Sequence, residues 1–133
     1  MGTIAVGYDG SPDSALAVSW AAELARSVSA QLIVVHAVGL LEGAELSPHP
    51  DGAAVLQIAS SVGLTSERTQ WLVLDGDPCS VLLRATNPPI SSDLVVVGTK
   101  GAGMHSGTLL GSTSLELAEA AVTPLAIVPR GEK

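Results

Sequence analysis

Five short apolar runs are spread along the chain, and each is followed directly by aspartate, glycine or proline. Short runs rich in Val, Ile and Leu that end at turn residues are typical of β-strands. The runs are nearly continuous and do not alternate with polar residues, which predicts strands buried on both faces. They cover residues 4–8, 32–38, 71–74, 94–97 and 125–128.

The segments between these runs predict helices. Ser11 offers an N-cap hydroxyl and Pro12 fits the first helical position, so the first helix begins there. Further helices are predicted at 53–62, from Pro78 to about 85, and at 112–122, while the rest of 39–65 is predicted to be loop. The apolar residues of the first helix recur with helical spacing and predict one stripe that packs on a sheet: Ala15, Val18, Ala22, Ala25 and Val28.

Strands and helices therefore alternate along the whole chain. This alternation favours right-handed crossovers and a parallel sheet. We expect one domain over residues 1–133, an α/β fold with a doubly wound, open, parallel five-stranded sheet and helices on both faces. In such Rossmann-like sheets, ligands bind beyond the carboxyl ends of the strands. Four residues lie at those ends: Gly7, Asp9, Val38 and Gly98.

Charge and composition narrow the possible partners. The formal net charge is −7 and only 6 residues are Lys or Arg, which disfavours a nucleic-acid partner. An anionic ligand would have to be held by local backbone dipoles. Cys79 is the single cysteine, which excludes an intramolecular disulfide. The chain has no signal-peptide pattern and no apolar run of about 20 residues, so we expect a cytoplasmic protein without a membrane partner.

The most informative segment follows the fourth predicted strand. Gly98 and Gly101 begin it, and Gly111 and Ser112 end it at the start of the last predicted helix. Glycines let a backbone approach a ligand closely, and the free N–H groups of a first helical turn can meet phosphate oxygens. The segment lacks the Gly-Lys-Ser/Thr order of a Walker A motif. A flexible loop that ends in a serine N-cap is the alternative interpretation.

This spacing, Gly98-x-x-Gly101, nine residues, then Gly111-Ser112, resembles the G-2x-G-9x-G-(S/T) signature of ATP-binding universal stress proteins. The resemblance covers nearly the whole chain. Four further segments are similar to strands of that family, in the same order: residues 6–11, 35–38, 93–98 and 123–128. The chain departs from the family pattern between 39 and 70, where the segment is shorter than usual.

The resemblance implies a regulatory stress-response module that binds ATP. We expect Mg²⁺ to offset part of the charge of the triphosphate. We also expect slow hydrolysis or none, because Lys100 and His105 are the only candidate catalytic groups in the glycine-rich segment and neither has an evident orienting partner. The resemblance further implies that Gly7, Asp9 and Ala37 line the base and ribose end of the nucleotide. It also implies a homodimer formed through the last strand. The phosphate end would be lined by Gly98, Gly101, Gly111, Ser112 and Thr113.

Other functions remain open at this point. Residues 10–14, Gly-Ser-Pro-Asp-Ser, resemble the loop of PP-loop adenylating enzymes, although the paired glycines are missing. A receiver domain would need an acidic cluster after the first strand, where Asp9 stands alone and could serve as a turn former. Cys79 and His36 are best interpreted as packed residues. His49 and His105 lie in predicted loops without metal-ligand spacing, so no metal site is expected.

Overall fold

A computed structural model describes residues 2–38, 52–99 and 112–129. Within these ranges the chain forms β1 (Thr3–Gly7), α1 (Pro12–Val28), β2 (Gln31–Val38), α2 (Gly52–Ser61), β3 (Thr69–Asp75), α3 (Pro78–Arg84), β4 (Leu94–Gly98), α4 (Ser112–Ala120) and β5 (Leu125–Val128). A short 3₁₀ turn, Ser66–Arg68, precedes β3. The order of strands and helices is the predicted one, and the 3₁₀ turn is an addition to it.

The five strands form one parallel sheet in the order β3-β2-β1-β4-β5. Pairs such as Val6 with Val34 on one side and Val6 with Val96 on the other place β1 at the centre. The strand order turns around β1, because the chain first builds outward through β2 and β3 and then crosses back to β4. This confirms the doubly wound sheet, and it puts the topological switch point between β1 and β4.

In the part of the chain that the structure describes, two helices cover each face of the sheet. One core joins α1 and α2 to the side chains of Ile4, Val6, Leu32 and Val34. The other joins α3 and α4 to the opposite faces of β2 and β4, as at Val35. Both cores are built mainly from Val, Leu, Ile and Ala, as expected for strands buried on both faces.

The buried face of α1 differs from the predicted stripe. Ala17 and Ala21 are fully buried although they were not in that stripe, while Val28 is 41% exposed and Ala15 is half-buried. Val18, Ala22 and Ala25 are buried as predicted. The prediction was based on residue size and spacing. Because α1 contains several alanines, more than one set of residues on the helix could form its buried face. The helix therefore lies rotated toward its small residues, which allows a close approach to the sheet.

Candidate functional site

The carboxyl ends of β1 and β4 lie side by side at the switch point. The pairing of Val6 with Val96 brings Gly7 and Gly98 to the same edge of the sheet. The Ser114 hydroxyl, in the first turn of α4, donates a hydrogen bond of 2.8 Å to the carbonyl oxygen of Gly98. This edge therefore joins the ends of two strands to the beginning of one helix.

The turn after β1 is held by a compact set of hydrogen bonds. The Asp9 carboxylate accepts the N–H of Ser11 at 2.9 Å, and the N–H of Asp9 donates to the Ser14 hydroxyl at 3.2 Å. Ser11 caps α1 by accepting the N–H of Ser14. Gly10 has a φ of 86°, a left-handed conformation that suits glycine. Asp9 thus stabilises the turn after β1. It is nevertheless exposed to solvent at the carboxyl end of that strand.

The end of β4 packs directly against the first turn of α1. A Cβ on Gly98 would lie 2.7 Å from the carbonyl oxygen of Asp13, a backbone atom that cannot move aside easily. The Thr99 hydroxyl donates a hydrogen bond of 2.9 Å to the Asp13 carboxylate. Asp13 is only 2% exposed. Its position in the first turn of α1 suits a buried carboxylate, because the N-terminus of a helix favours negative charge.

The N-terminus of α4 faces the same edge. Ser112 begins this helix, and Thr113 follows it as a half-buried residue. The N–H groups of a first turn have no partner inside the helix, so this end can receive an anion. Gly101 and Gly111 lie outside the described residues, as do Lys100, His49 and His105. Their predicted roles at the phosphate end stay predictions.

An aromatic cluster lies along the α1/α2 face of the sheet, beside the ends of β1 and β2. The ring of His36 stacks on Trp71, with centroids 6.1 Å apart and planes within 10°. Tyr8 contacts the same indole edge-on at 6.2 Å. His36 Nδ1 lies 3.0 Å from the Tyr8 carbonyl oxygen. Ala37, predicted at the base end, is partly buried and packs against the core on the α3/α4 face; its predicted contact with a nucleotide stays a prediction.

The structure brings together part of the predicted site. Gly7, Asp9, Gly98 and the start of α4 share the edge at the switch point, and Ala37 lies on neighbouring β2. Sequence reasoning missed three residues of this edge: Asp13, Thr99 and Ser114. Thr99 lies within the predicted glycine-rich segment and Ser114 just after it, and that position was the available signal. Asp13 gave no signal, since a polar residue near a helix N-terminus is usually solvated.

Residues 10–14, which resemble the loop of PP-loop enzymes, contribute to the N-terminal cap of α1. Ser11 and Ser14 are 7% and 6% exposed, and their hydroxyls bond to each other and to the cap of α1. A triphosphate would have to displace these hydrogen bonds to reach them. The geometry therefore disfavours a nucleotide bound to these two serines.

A second concave surface lies between α3 and α4. It is lined by Asp77, Cys79, Ser80, Glu116, Glu119 and Ala120. Three carboxylates make this groove unfavourable for a phosphate group. Burial raises the pKa of the Cys79 thiol, with a further increase from the nearby carboxylates of Glu116 and Asp77, which disfavours the reactive thiolate. This agrees with the interpretation of Cys79 as a packed residue.

Membrane-spanning helices and metal centres are two further features that would change the interpretation of the site. No helix within residues 2–38, 52–99 and 112–129 is long and apolar enough to cross a bilayer. In the same ranges, no group of three or more His, Cys, Asp and Glu side chains is arranged to hold a metal ion.

Comparison with known proteins gives a consistent family signal. The sequence profile of the universal stress protein family matches residues 1–129. A universal stress protein of Mycobacterium tuberculosis is 36% identical over 132 residues, which cover 93% of this chain and 44% of that protein. The chain thus spans less than half the length of that relative. A universal stress protein of Thermus aquaticus is 31% identical, covering 95% of this chain and 97% of the relative.

Solved structures show the same fold. The crystal structure of a universal stress protein in complex with cAMP has a TM-score of 0.74 and 29% identity, covering 98% of each chain. A universal stress protein from Archaeoglobus fulgidus, solved with dAMP, has a TM-score of 0.69 and 17% identity, with 96% of this chain and 97% of that chain covered. At 17% identity, the second likeness concerns the fold alone.

Proposed function

This chain belongs to the universal stress protein family, and from that premise we propose that it binds an adenine nucleotide at the carboxyl edge between β1 and β4. The observation that carries the proposal is the convergence of the β1 turn, the end of β4 and the N-terminus of α4 on one edge. Free N–H groups at such a helix start attract phosphate without needing a basic surface. Such local N–H groups are needed because the chain has a net charge of −7 and therefore does not attract phosphate through its overall charge.

The class of ligand follows from the family and the chemistry of the edge. A structure 29% identical to this chain was solved with cAMP, which supports an adenine nucleotide in general. The glycine spacing, with Ser112 at its end, favours ATP with Mg²⁺ as the physiological ligand. In this proposal Gly7, Asp9 and Ala37 serve the base and ribose, and Gly98, Gly101, Gly111, Ser112 and Thr113 serve the phosphates.

We propose further that the nucleotide regulates the protein and is hydrolysed slowly or not at all. The segment from 98 to 111 contains Lys100 and His105 as its only candidates for a phosphate-binding cation and a base. Hydrolysis needs such groups held in position. Release of phosphate in a single turnover should therefore be far slower than the enzyme median of roughly 10 per second. Turnover of several per second that is lost in His105→Ala would make the protein an ATPase.

The same proposal includes a cytoplasmic homodimer. Strand β5 is an edge strand whose residues remain half-buried, and Val122 just before it is 97% exposed. An unpaired strand edge tends to associate with another strand. A second copy of this chain, paired through β5, would remove that exposed edge.

Calorimetry with Mg-ATP and with cAMP, combined with mass spectrometry of small molecules released from the purified protein, tests the ligand. Gly101→Asp and Gly111→Val should each abolish ATP binding without unfolding the protein, because side-chain bulk enters the phosphate path. Gln57→Glu adds one negative charge on the exposed face of α2 and serves as the control for charge. ATP affinity unchanged in either glycine variant would contradict the proposal.

A further inference from the structure

Thr99 occupies the junction between β4 and the glycine-rich segment. It directly follows Gly98, the last residue of β4, and precedes the residues predicted to hold phosphate. Its hydroxyl donates to the Asp13 carboxylate of α1 at 2.9 Å. The two residues are 86 positions apart in sequence, so this contact depends on the folded sheet.

The acceptor of this hydrogen bond is held rigidly. Asp13 is 2% exposed and lies in the first turn of α1, where the Ser11 cap fixes the start of the helix. Its backbone carbonyl already lies against Gly98, so close that a Cβ there would approach it to 2.7 Å. The direction of the Thr99 side chain is therefore set by α1, a helix that does not carry the glycine signature.

Contacts from two helices hold the junction. The Ser114 hydroxyl of α4 donates to the Gly98 carbonyl, and the Asp13 carboxylate of α1 accepts the Thr99 hydroxyl. The start of the glycine-rich segment is thereby tied to both helices at the switch point.

We infer that Thr99 and Asp13 form a positioning pair, which sets the direction in which the chain leaves β4 and so aligns the phosphate-binding backbone for ATP. The inference rests on the proposed nucleotide site. Neither side chain needs to touch the ligand. The pair acts on the phosphate end, so it should change affinity for ATP and leave affinity for adenosine, which has no phosphates, unchanged.

Calorimetry with Mg-ATP and with adenosine on the full chain tests the pair. Thr99→Val preserves the shape of the side chain but removes the hydroxyl, and should weaken ATP binding about tenfold, the effect of one such hydrogen bond. Adenosine affinity should stay within about twofold of the unmodified chain, well below the effect of one hydrogen bond. Thr99→Ser retains the hydroxyl and should restore ATP affinity. Should Thr99→Val fail to fold, Thr99→Ala removes the same hydroxyl with less bulk.

Thr69→Val is the matched control, because it removes a threonine hydroxyl that bonds to the Thr65 carbonyl at the start of β3. Equal ATP affinity in Thr99→Val and the unmodified chain would overturn the positioning pair and leave the nucleotide site standing. Equal weakening of ATP and adenosine would also overturn it, since that pattern indicates a general structural role. An unmodified chain that binds neither ligand would overturn the proposed function, and the inference with it.

Discussion

At the scale of single residues, Gly98 has a role in packing that is independent of its predicted role in ligand binding. The sequence suggested that a glycine is needed there to let a ligand approach. The structure adds a separate reason, because the backbone of Asp13 occupies the space that a Cβ would take. Gly7, on the neighbouring strand, differs: the atom nearest to a Cβ there would be the end of the Leu82 side chain, at 3.1 Å.

Gly98→Ala should therefore destabilise the protein by about 1–3 kcal/mol, the usual cost of forcing extra volume into a packed contact. Gly7→Ala should cost less than about 1 kcal/mol, because a flexible side-chain end can give way. Urea unfolding followed by circular dichroism measures both values. Equal losses of stability in the two variants would show that the contact with the Asp13 backbone yields as easily as a side chain.

The same residues mark the limit of sequence reasoning about the site. Asp9 and Gly98 could be predicted because each directly follows a predicted strand, and the end of an apolar run is a local signal. The hydrogen bond between Asp13 and Thr99 could not, since it joins positions 86 residues apart that meet only once β1 and β4 are paired. Contacts between residues on different strands and helices cannot be predicted from the spacing of residues along the chain.

At the scale of elements, local chemistry explains which boundaries were predicted well. The N-caps Ser11 and Asp77 and the prolines that follow them start α1 and α3 where predicted. β3 was predicted at 71–74 and extends over Thr69–Asp75. Its polar ends carry no hydrophobic signal, and they join the strand because β2 runs alongside them. The 3₁₀ turn before β3 was missed for the same reason, since its three residues are polar.

That 3₁₀ turn holds Arg68, which closes the C-terminal end of α1. Its guanidinium donates to the carbonyl of Ala25 at 2.8 Å and to that of Ala30 at 2.6 Å. The Ala25 carbonyl also accepts the backbone N–H groups of Ser29 and Ala30. A cation at the end of a helix also suits the helix dipole. One side chain thus ties the turn before β3 to the connection between α1 and β2.

Arg68→Ala should lower stability by about 1–3 kcal/mol, because two carbonyls in a partly buried setting lose a charged donor. Arg68→Lys should recover only part of the loss, since a single ammonium lacks the planar fork that reaches both oxygens. Thermal unfolding of the two variants provides the comparison. Full recovery in Arg68→Lys would indicate that charge alone matters at this position.

At the scale of the whole molecule, the sequence predicted the type of sheet but not the order of its strands. Alternating elements predicted a parallel, doubly wound sheet, yet the position of the switch point depends on which strands pair. The pairing of β1 with both β2 and β4 places that point beside Asp9 and Gly98. Asp9 and Gly98 therefore lie near each other because of the order in which the strands pair.

Assembly is a second property at this scale. Light scattering should give twice the chain mass of 13.4 kDa at micromolar concentration if β5 pairs with a second copy. Val122→Asp should favour the monomer, because Val122 is 97% exposed beside that edge and a charge there would be buried in the dimer. Leu56→Asp, on the exposed face of α2, should have no such effect. A single chain mass for the unmodified protein, with and without ATP, would contradict the homodimer.

The most direct test of the central claim is a titration of the ¹⁵N-labelled protein with Mg-ATP, observed by two-dimensional NMR. Nucleotide bound between β1 and β4 should shift the amide signals of Asp9, Gly98, Thr99 and Thr113. The amide signal of Asp93, which lies at the opposite, amino end of β4, should not shift. Shifts concentrated at Cys79 and Glu119 would place the ligand in the acidic groove between α3 and α4, and an unchanged spectrum at high ATP concentration would contradict nucleotide binding altogether.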